Sequence, residues 1–381
     1  MTLPSLLSFI LLIAIIPTTG GLLAATPWLM RRNECFAVTV PAGKQNDGRL
    51  VALKRRYTRT MLVVTAAFTA LAAAVLAVHL GSRDGVSEGV LIALILAGTL
   101  VPLVVSFALM LSARRAVQKI KVAEGWFATQ QQVTAVVAEE DVPGAISLAW
   151  NLLYVPIALA SIALTYALYP SMPDVIPMQV NFSGEVTSTM QKGPGVFAFP
   201  LLFTAFLAAV MTFSHWTITR SKRPTDPGAP ATSALAYGMF ARAQSILMVA
   251  TGLVLAATTD ICFILSAAGV VSLEWMAALI VVLAMLIVVV CIAVSVVYGQ
   301  AGSRLHARMQ AAPADAPLAF DDDEHWILGI IYFNRDDASL FLPERFGIGW
   351  TLNMARPAAW VLLVGFVALT AVFIFAVFSL T

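Results

Sequence analysis

The sequence predicts an all-α membrane protein with about eight transmembrane helices and a small cytoplasmic module between the seventh and eighth. Composition is the first observation behind this prediction: 60% of the 381 residues are hydrophobic, 12% are charged, and the mean hydropathy is +0.87. A soluble domain is about half apolar and a quarter charged. The second observation is a series of long apolar segments. The third is an uneven distribution of basic residues between the connecting loops.

Eight segments are each near the ~20 residues that a helix needs to cross the hydrocarbon core of a bilayer. They must be helical there, because lipid cannot satisfy free backbone groups. The predicted spans are Ser5–Ala25, Thr60–Leu80, Val90–Leu111, Leu148–Leu168, Val196–Phe213, Ile246–Ala268, Trp275–Val297 and Ala358–Leu380. The first is expected to be a retained helix and not a cleaved signal peptide, because Arg31 and Arg32 follow the apolar run instead of preceding it.

The basic residues predict on which side of the membrane each loop lies. Of the 23 lysines and arginines, only Arg83 and Lys192 fall in the even-numbered loops. The positive-inside rule therefore places the odd-numbered loops in the cytoplasm and both termini outside it. The predicted domains are seven helices over 1–298, which include an extracytoplasmic loop at 170–195, a cytoplasmic linker and module at 299–357, and a last helix at 358–381.

The loop at 170–195 is the most distinctive non-helical stretch of the chain. Three prolines between residues 170 and 177 fix φ and remove backbone donors, so no regular helix can run through this part. Gly184 is typical of a turn. Asn181, Ser183 and Glu185 stand at alternate positions, and in an extended segment they would share one face.

This loop resembles the signature of the family called domain of unknown function 1648, which includes proteins that give bacteria immunity to a secreted sporulation-delaying toxin. The resemblance is carried by Pro173, Asp174, Ile176, Pro177, Asn181, Phe182, Gly184, Glu185, Val186 and Lys192. Gln179-Val180 departs from the pattern, since the family usually has histidine followed by an aromatic or apolar residue. The resemblance implies a bacterial inner-membrane protein whose outer loop recognises a ligand or acts as a gate. The candidate residues for that role are Pro173, Asp174, Pro177, Asn181, Phe182, Gly184, Glu185 and Lys192.

Asp260 is the one charged side chain predicted to lie well inside a span. An acidic residue there costs roughly 2.5–3.5 kcal/mol on insertion scales, and such residues commonly mark a functional site. No lysine or arginine lies within any predicted span, so Asp260 is expected to be protonated, hydrated, or bonded to a neighbour such as Ser161. Two interpretations stay open, namely a functional carboxyl group and a polar contact between helices.

A second distinctive segment lies between spans seven and eight. Short runs at Ile330–Asn334 and Ser339–Leu342 are typical of strands around a turn. The segment resembles the family called domain of unknown function 5808. The residues that carry this resemblance, and that we regard as candidate site residues of the module, are Trp326, Gly329, Tyr332, Asn334, Asp337, Gly347, Gly349, Trp350 and Asn353.

Two charged clusters each allow more than one interpretation. The acidic run Asp321–Glu324 offers the oxygen ligands that Mg²⁺ or Ca²⁺ prefers, but such runs are more often solvated. The cluster Lys54–Arg56 can bind anionic lipid, or can simply fix the orientation of the second helix. The three cysteines form no CxxC pair or His/Cys cluster, so neither a disulfide framework nor a zinc site is predicted.

No P-loop, HExxH, GxSxG or GxGxxG motif occurs in a supporting context, so we expect neither an enzyme nor a cofactor. The net charge of +2 gives no indication of a nucleic-acid partner. The leading hypothesis is a sensor or immunity-type protein that responds to an extracytoplasmic peptide toxin or envelope stress, with the bilayer and a cytoplasmic regulator as further partners. The alternatives are an ion-coupled transporter that uses Asp260 and a structural membrane scaffold.

Overall fold

The computed structural model describes residues 3–81, 87–128, 142–181, 185–226, 228–310, 318 and 320–380, so Phe182 and Gly184 of the loop motif lie outside the described residues. The helices are α1 (Leu3–Leu29), α2 (Gly48–Gly81), α3 (Glu88–Ala123), α4 (Tyr154–Leu168), α5 (Gly195–Arg220), α6 (Pro230–Ala267), α7 (Leu273–Tyr298), α8 (Ser303–Met309) and α9 (Pro357–Leu380). The short strands are β1 (Glu34–Cys35), β2 (Val38–Thr39), β3 (Val175–Val180), β4 (Val186–Gln191), β5 (Trp326–Ile327), β6 (Ile331–Tyr332), β7 (Phe341–Pro343) and β8 (Trp350–Leu352). Consecutive strands pair in twos as antiparallel hairpins.

Eight helices of the described chain are long and apolar enough to cross a membrane, which confirms the eight predicted spans and a multi-pass helical membrane protein. Several are longer than predicted. For example, α2 begins at Gly48 and not at Thr60, and α6 begins at Pro230 and not at Ile246. Hydropathy marks only the lipid-facing length of a helix, whereas these two helices continue through polar turns beyond it.

The helices form two groups that α7 joins. Helices α1, α2 and α3 pack on one another, as do α4, α5 and α6, while α7 contacts both α1 and α6 and α9 lies against α5. Close approach of α1 depends on glycine: a Cβ added at Gly20 would lie 2.1 Å from Thr65 Oγ1, and one added at Gly98 would lie 2.6 Å from Ile16 Cδ1. Small residues at such crossings let two membrane helices pack through their backbones.

The connecting segments alternate between two ends of the bundle. At one end, which we call the hairpin end, β3 and β4 pack beside Val196 of α5 and Ile264 of α6. At the other, the module end, the segment after α1, the end of α3 and the start of the α5–α6 connection all bond to residues 320–356, which we call the module. The odd-numbered loops therefore meet at the module end.

The module docks on the short hairpin formed by β1 and β2. Its two-residue turn, Phe36-Ala37, has positive φ angles of 47° and 59°, as in a type I′ turn. Gly329 of the module lies against this turn, where an added Cβ would be 2.8 Å from Ala37 Cβ. The Ala37 carbonyl accepts hydrogen bonds from the buried Arg114 and Arg345. The turn is therefore held by packing against Gly329 and by hydrogen bonds from Arg114 and Arg345.

Arg345 is the centre of a buried ionic cluster and is only 2% exposed. Its guanidinium bonds to the carboxylates of Asp322 and Asp323, and its Nε lies 3.5 Å from Glu34 Oε1. It also lies over the Trp326 ring, at 5.0 Å from the ring centroid. One side chain thus joins the acidic run of the module to the segment after α1.

Lys121, near the end of α3, completes the cluster. Its Nζ lies 2.7 Å from Asp321 Oδ2 and 2.6 Å from Asp323 Oδ2. Burial alone would raise the pKa of Asp323, but Arg345 and Lys121 outweigh it and lower that pKa to about 2. The interpretation of the acidic run as solvated is therefore wrong for Asp321, Asp322 and Asp323, which are ion-paired and hold the module to the helices, whereas Glu324 is exposed.

Replacing Arg345 with methionine is expected to release the module. Removing one partner of a buried ion pair costs about 3–5 kcal/mol, because the remaining charges stay buried without a counter-ion. Hydrogen–deuterium exchange of purified protein should then show faster exchange across residues 320–356, with the helices unchanged. Arg335→Met is the matched control, since Arg335 is exposed. Equal exchange rates in the Arg345 variant and the wild type would contradict this account of docking.

Candidate functional site

The loop motif folds as a two-stranded hairpin at the hairpin end. Val175 pairs with Gln191 and Ile176 with Met190, and the register shifts on either side of Gln179. The strands flank residues 181–185, so Asn181 and Glu185 lie at the tip of the hairpin and not within one extended segment, and Ser183 lies outside the described residues. Proline is tolerated at 177 because an isolated two-stranded sheet has only edge strands, where a missing N–H need not break a ladder.

The hairpin is anchored by its apolar side chains. Met172, Ile176 and Met190 are buried in one cluster with Val196, at the start of α5, and Ile264, near the end of α6. Burying a side chain of this size contributes about 1.5–3 kcal/mol. The hairpin is therefore attached to two particular helices and does not stand free above the bundle.

Asn181 and Glu185 shape the tip of the hairpin. The Asn181 backbone N–H donates to the Glu185 carbonyl at 2.9 Å, and the Glu185 N–H donates to Asn181 Oδ1 at 2.8 Å. Asn181 Nδ2 also donates to Glu185 Oε2 at 2.9 Å. The two predicted ligand residues thus bond to each other across residues 182–184.

Lys192 fixes the base of the hairpin. Its Nζ donates to the Met172 carbonyl at 2.7 Å and lies 4.9 Å from the centroid of the Tyr169 ring. Its backbone N–H donates to the Asp174 carbonyl at 2.8 Å. The side chains of Pro173 and Asp174 are exposed, so Asp174 is the charged group of this motif best placed to meet a ligand.

Asp260 lies at the meeting point of three helices and is 1% exposed. Ser161 of α4 donates to Asp260 Oδ2 at 2.6 Å, which confirms the predicted contact. Thr204 of α5 donates to the same oxygen at 2.7 Å. Thr204 was not predicted, because one threonine in an apolar run does not indicate which helix it faces. The other oxygen, Oδ1, is buried without a hydrogen-bond partner among the residues that the structure describes.

This carboxyl group lies directly below the hairpin anchor. Ile264 follows Asp260 by four residues on α6, about 6 Å along the axis, and it belongs to the same buried cluster as the hairpin residue Ile176. Thr204 follows Val196, the other anchor, by two turns on α5. The hairpin and the buried polar contact therefore share the same pair of helices.

Four polar residues of the module motif bond to one another. Asn353 is fully buried; its Nδ2 donates to the carbonyls of Asn334 at 2.8 Å and Asp337 at 3.0 Å, and its Oδ1 accepts from Asn334 N–H. Tyr332 donates its hydroxyl to Asp337 Oδ2 at 3.0 Å. These residues build the interior of the module, which explains why the motif needs them together.

Other motif residues connect the module to the helices. Trp350 packs on Phe240 of α6, with ring centroids 5.7 Å apart. Gly347 and Gly349 have φ angles of +117° and +158°, a conformation that favours glycine. The Gly349 N–H and carbonyl both bond to the amide of Gln300, in the segment after α7.

A further contact joins the module to the end of α5. Lys222 Nζ bonds to Asp337 Oδ2 at 2.6 Å, and the Lys222 N–H donates to the Phe341 carbonyl at 2.9 Å. Burial opposes the charge on Asp337, but the bond with Lys222 outweighs it and lowers the pKa of that carboxyl to about 2. Trp216 of α5 meets Phe341 edge-on, with centroids 5.2 Å apart.

In the described part of the chain, no group of three His, Cys, Asp or Glu residues is placed to hold a metal ion. The carboxylates of the acidic run face Arg345 and Lys121 instead.

Comparison with known families finds two matches. Domain of unknown function (DUF1648) matches residues 157–204, which run from α4 through the hairpin into α5. Family of unknown function (DUF5808) matches residues 335–360, which cover the second half of the module and the start of α9. The module residues Trp326, Gly329, Tyr332 and Asn334 precede that match. No curated protein and no solved structure matches the chain.

Proposed function

We propose that this chain is a bacterial inner-membrane sensor or immunity-type protein. In this proposal the hairpin meets an extracytoplasmic peptide toxin or another envelope stress, and the module presents the response to a regulator in the cytoplasm. One observation carries the proposal: α5 and α6 touch the hairpin at one end and the module at the other.

The contacts along these helices form a continuous path. The hairpin rests on Val196 and Ile264, and Asp260 and Thr204 bond α6 to α5 below it. At the far end, Phe240 of α6 packs on Trp350 of the module. A displacement of the hairpin would therefore change the packing of the two helices on which the module rests.

Charge favours a cationic ligand. Asp174 is exposed at the base of the hairpin, and the one basic residue there, Lys192, is bound to Met172 and Tyr169. An acidic surface attracts a cationic peptide over about one Debye length, roughly 8–10 Å at physiological salt. The sequence-based orientation, with the basic loops in the cytoplasm, supports an outward-facing hairpin.

Deleting the gene is expected to raise sensitivity to a secreted peptide or an envelope stress, and Asp174→Asn is expected to reproduce that sensitivity. The substitution removes the exposed charge, and the Asp174 carbonyl still accepts from Lys192. Growth inhibition would be measured across a panel of secreted cationic peptides and envelope stresses, with membrane abundance checked by immunoblot.

Asp336→Asn is the matched control for that experiment. It makes the same chemical change at an exposed position at the module end, and it should behave as the wild type. Unchanged sensitivity of the deletion strain across the whole panel would remove the basis of the proposal. So would equal sensitivity of the two substituted strains.

Proton-coupled transport is a second candidate, and the buried carboxyl of Asp260 favours it. Both hydroxyl donors reach Oδ2, and Oδ1 has no hydrogen-bond partner among the described residues. A buried acidic group of this kind can take up and release a proton during transport.

Asp260→Asn is then expected to abolish proton flux into vesicles driven by a pH gradient, while the protein still folds. The amide retains the shape of the side chain but cannot titrate. An internal pH-sensitive dye would report the flux, and Asp260→Glu, which retains a carboxyl group, should keep part of it. Undiminished flux in the Asp260→Asn variant would exclude this mechanism.

A further inference from the structure

We propose that a groove between α1 and α2 at the module end binds one anionic phospholipid. The groove has a volume of about 400 Å³ and is lined by Trp28, Arg55, Arg59, Leu62, Val63 and Ala66. Two guanidinium groups lie at its upper end and apolar side chains along the rest. This inference is independent of the proposed function.

Trp28 forms a fixed wall of the groove. Its indole N–H donates to Thr58 Oγ1 at 3.0 Å, and Thr58 in turn donates to the Ala24 carbonyl at 2.8 Å. The Lys54 ammonium group lies 5.7 Å from the centroid of the indole ring. These contacts hold the ring before any ligand arrives, so it can line an acyl chain without losing conformational freedom.

The residues of the basic cluster Lys54–Arg56 differ in burial and in their contacts. Lys54 is buried and donates to Gln45 Oε1 at 2.7 Å, so it is part of the protein interior. Arg55 is exposed and lines the groove with Arg59, one turn further along α2. Neither of these two guanidinium groups is bonded to a residue that the structure describes. Guanidinium groups bind phosphate oxygens in bidentate geometry, so the pair is complementary to a lipid phosphate.

The length of the groove fits a lipid better than a free phosphate. Arg55 and Ala66 are eleven residues apart on α2, which is about 16 Å along the helix. Half of a bilayer core is about 15 Å thick. Leu62 and Val63 are 51% and 62% exposed, so an acyl chain that descends from the guanidinium pair would cover apolar surface throughout one leaflet.

Native mass spectrometry of the full chain in detergent tests this proposal. With phosphatidylglycerol added, the wild type should hold one lipid molecule that phosphatidylcholine and inorganic phosphate do not displace. The double variant Arg55→Gln/Arg59→Gln should bind that lipid roughly thirtyfold more weakly, because each basic residue near an anionic lipid contributes about a fivefold factor. Ala66→Trp, which fills the groove and leaves both charges, should also lose the lipid.

Arg56→Gln/Arg115→Gln is the matched control. It removes the same charge from exposed positions outside the groove, so it should retain wild-type binding. Equal retention of phosphatidylglycerol by the groove variant and the wild type would overturn the proposal. Equal loss in the control would do so too, as would displacement by inorganic phosphate or phosphatidylcholine. Circular dichroism of each variant would verify that it is folded.

Discussion

A bilayer core cannot hydrate a charge or an open peptide group, and this constraint governs where the chain places its polar side chains. Asp260 is tolerated because Ser161 and Thr204 supply donors inside the bundle. The buried ion pairs lie at the module end, where Arg345, Lys121 and their carboxylate partners form one cluster. The same constraint forces the chain to cross as helices and to put its strands only in the connecting segments.

In this arrangement, α5 and α6 each have contacts at both ends of the bundle. Helices α5 and α6 bear the hairpin at one end and the module at the other, so they connect the two irregular parts of the chain. Their shared polar contact at Asp260 lies between these ends, close to the hairpin. The loop motif and a buried carboxyl group that look unrelated in the sequence thus belong to one structural unit.

Much of the fold follows from the sequence, because apolar length alone is enough to identify a membrane-spanning helix. Proline likewise marked the loop at 170–195 as non-helical, and the structure has the β3–β4 hairpin there. Apart from the Ser161–Asp260 contact, the pairing of distant residues could not be predicted in the same way. Arg345 is a single basic residue in a polar segment, and nothing local shows that it will meet Glu34, more than 300 positions earlier in the chain.

The candidate site likewise combines features that the sequence predicts with features that only the structure shows. The loop residues that were predicted together have different structural roles: Asn181, Glu185 and Lys192 hold the hairpin together, while the side chain of Asp174 is exposed. In the module, Asn353 and Tyr332 form hydrogen bonds in the interior, whereas Trp350 packs against α6. A sequence motif shows which residues occur together, but burial and bonding partners determine which of them can contact a ligand.

The most direct test of this account is the sidedness of two positions in intact cells. Asp174→Cys and Asp336→Cys would be treated separately with a membrane-impermeant maleimide, in a background that lacks the three native cysteines. We expect labelling at position 174 in intact cells and at position 336 only after the membrane is made permeable. Labelling of both positions from the same side would contradict the arrangement of the hairpin and the module at opposite ends of α5 and α6.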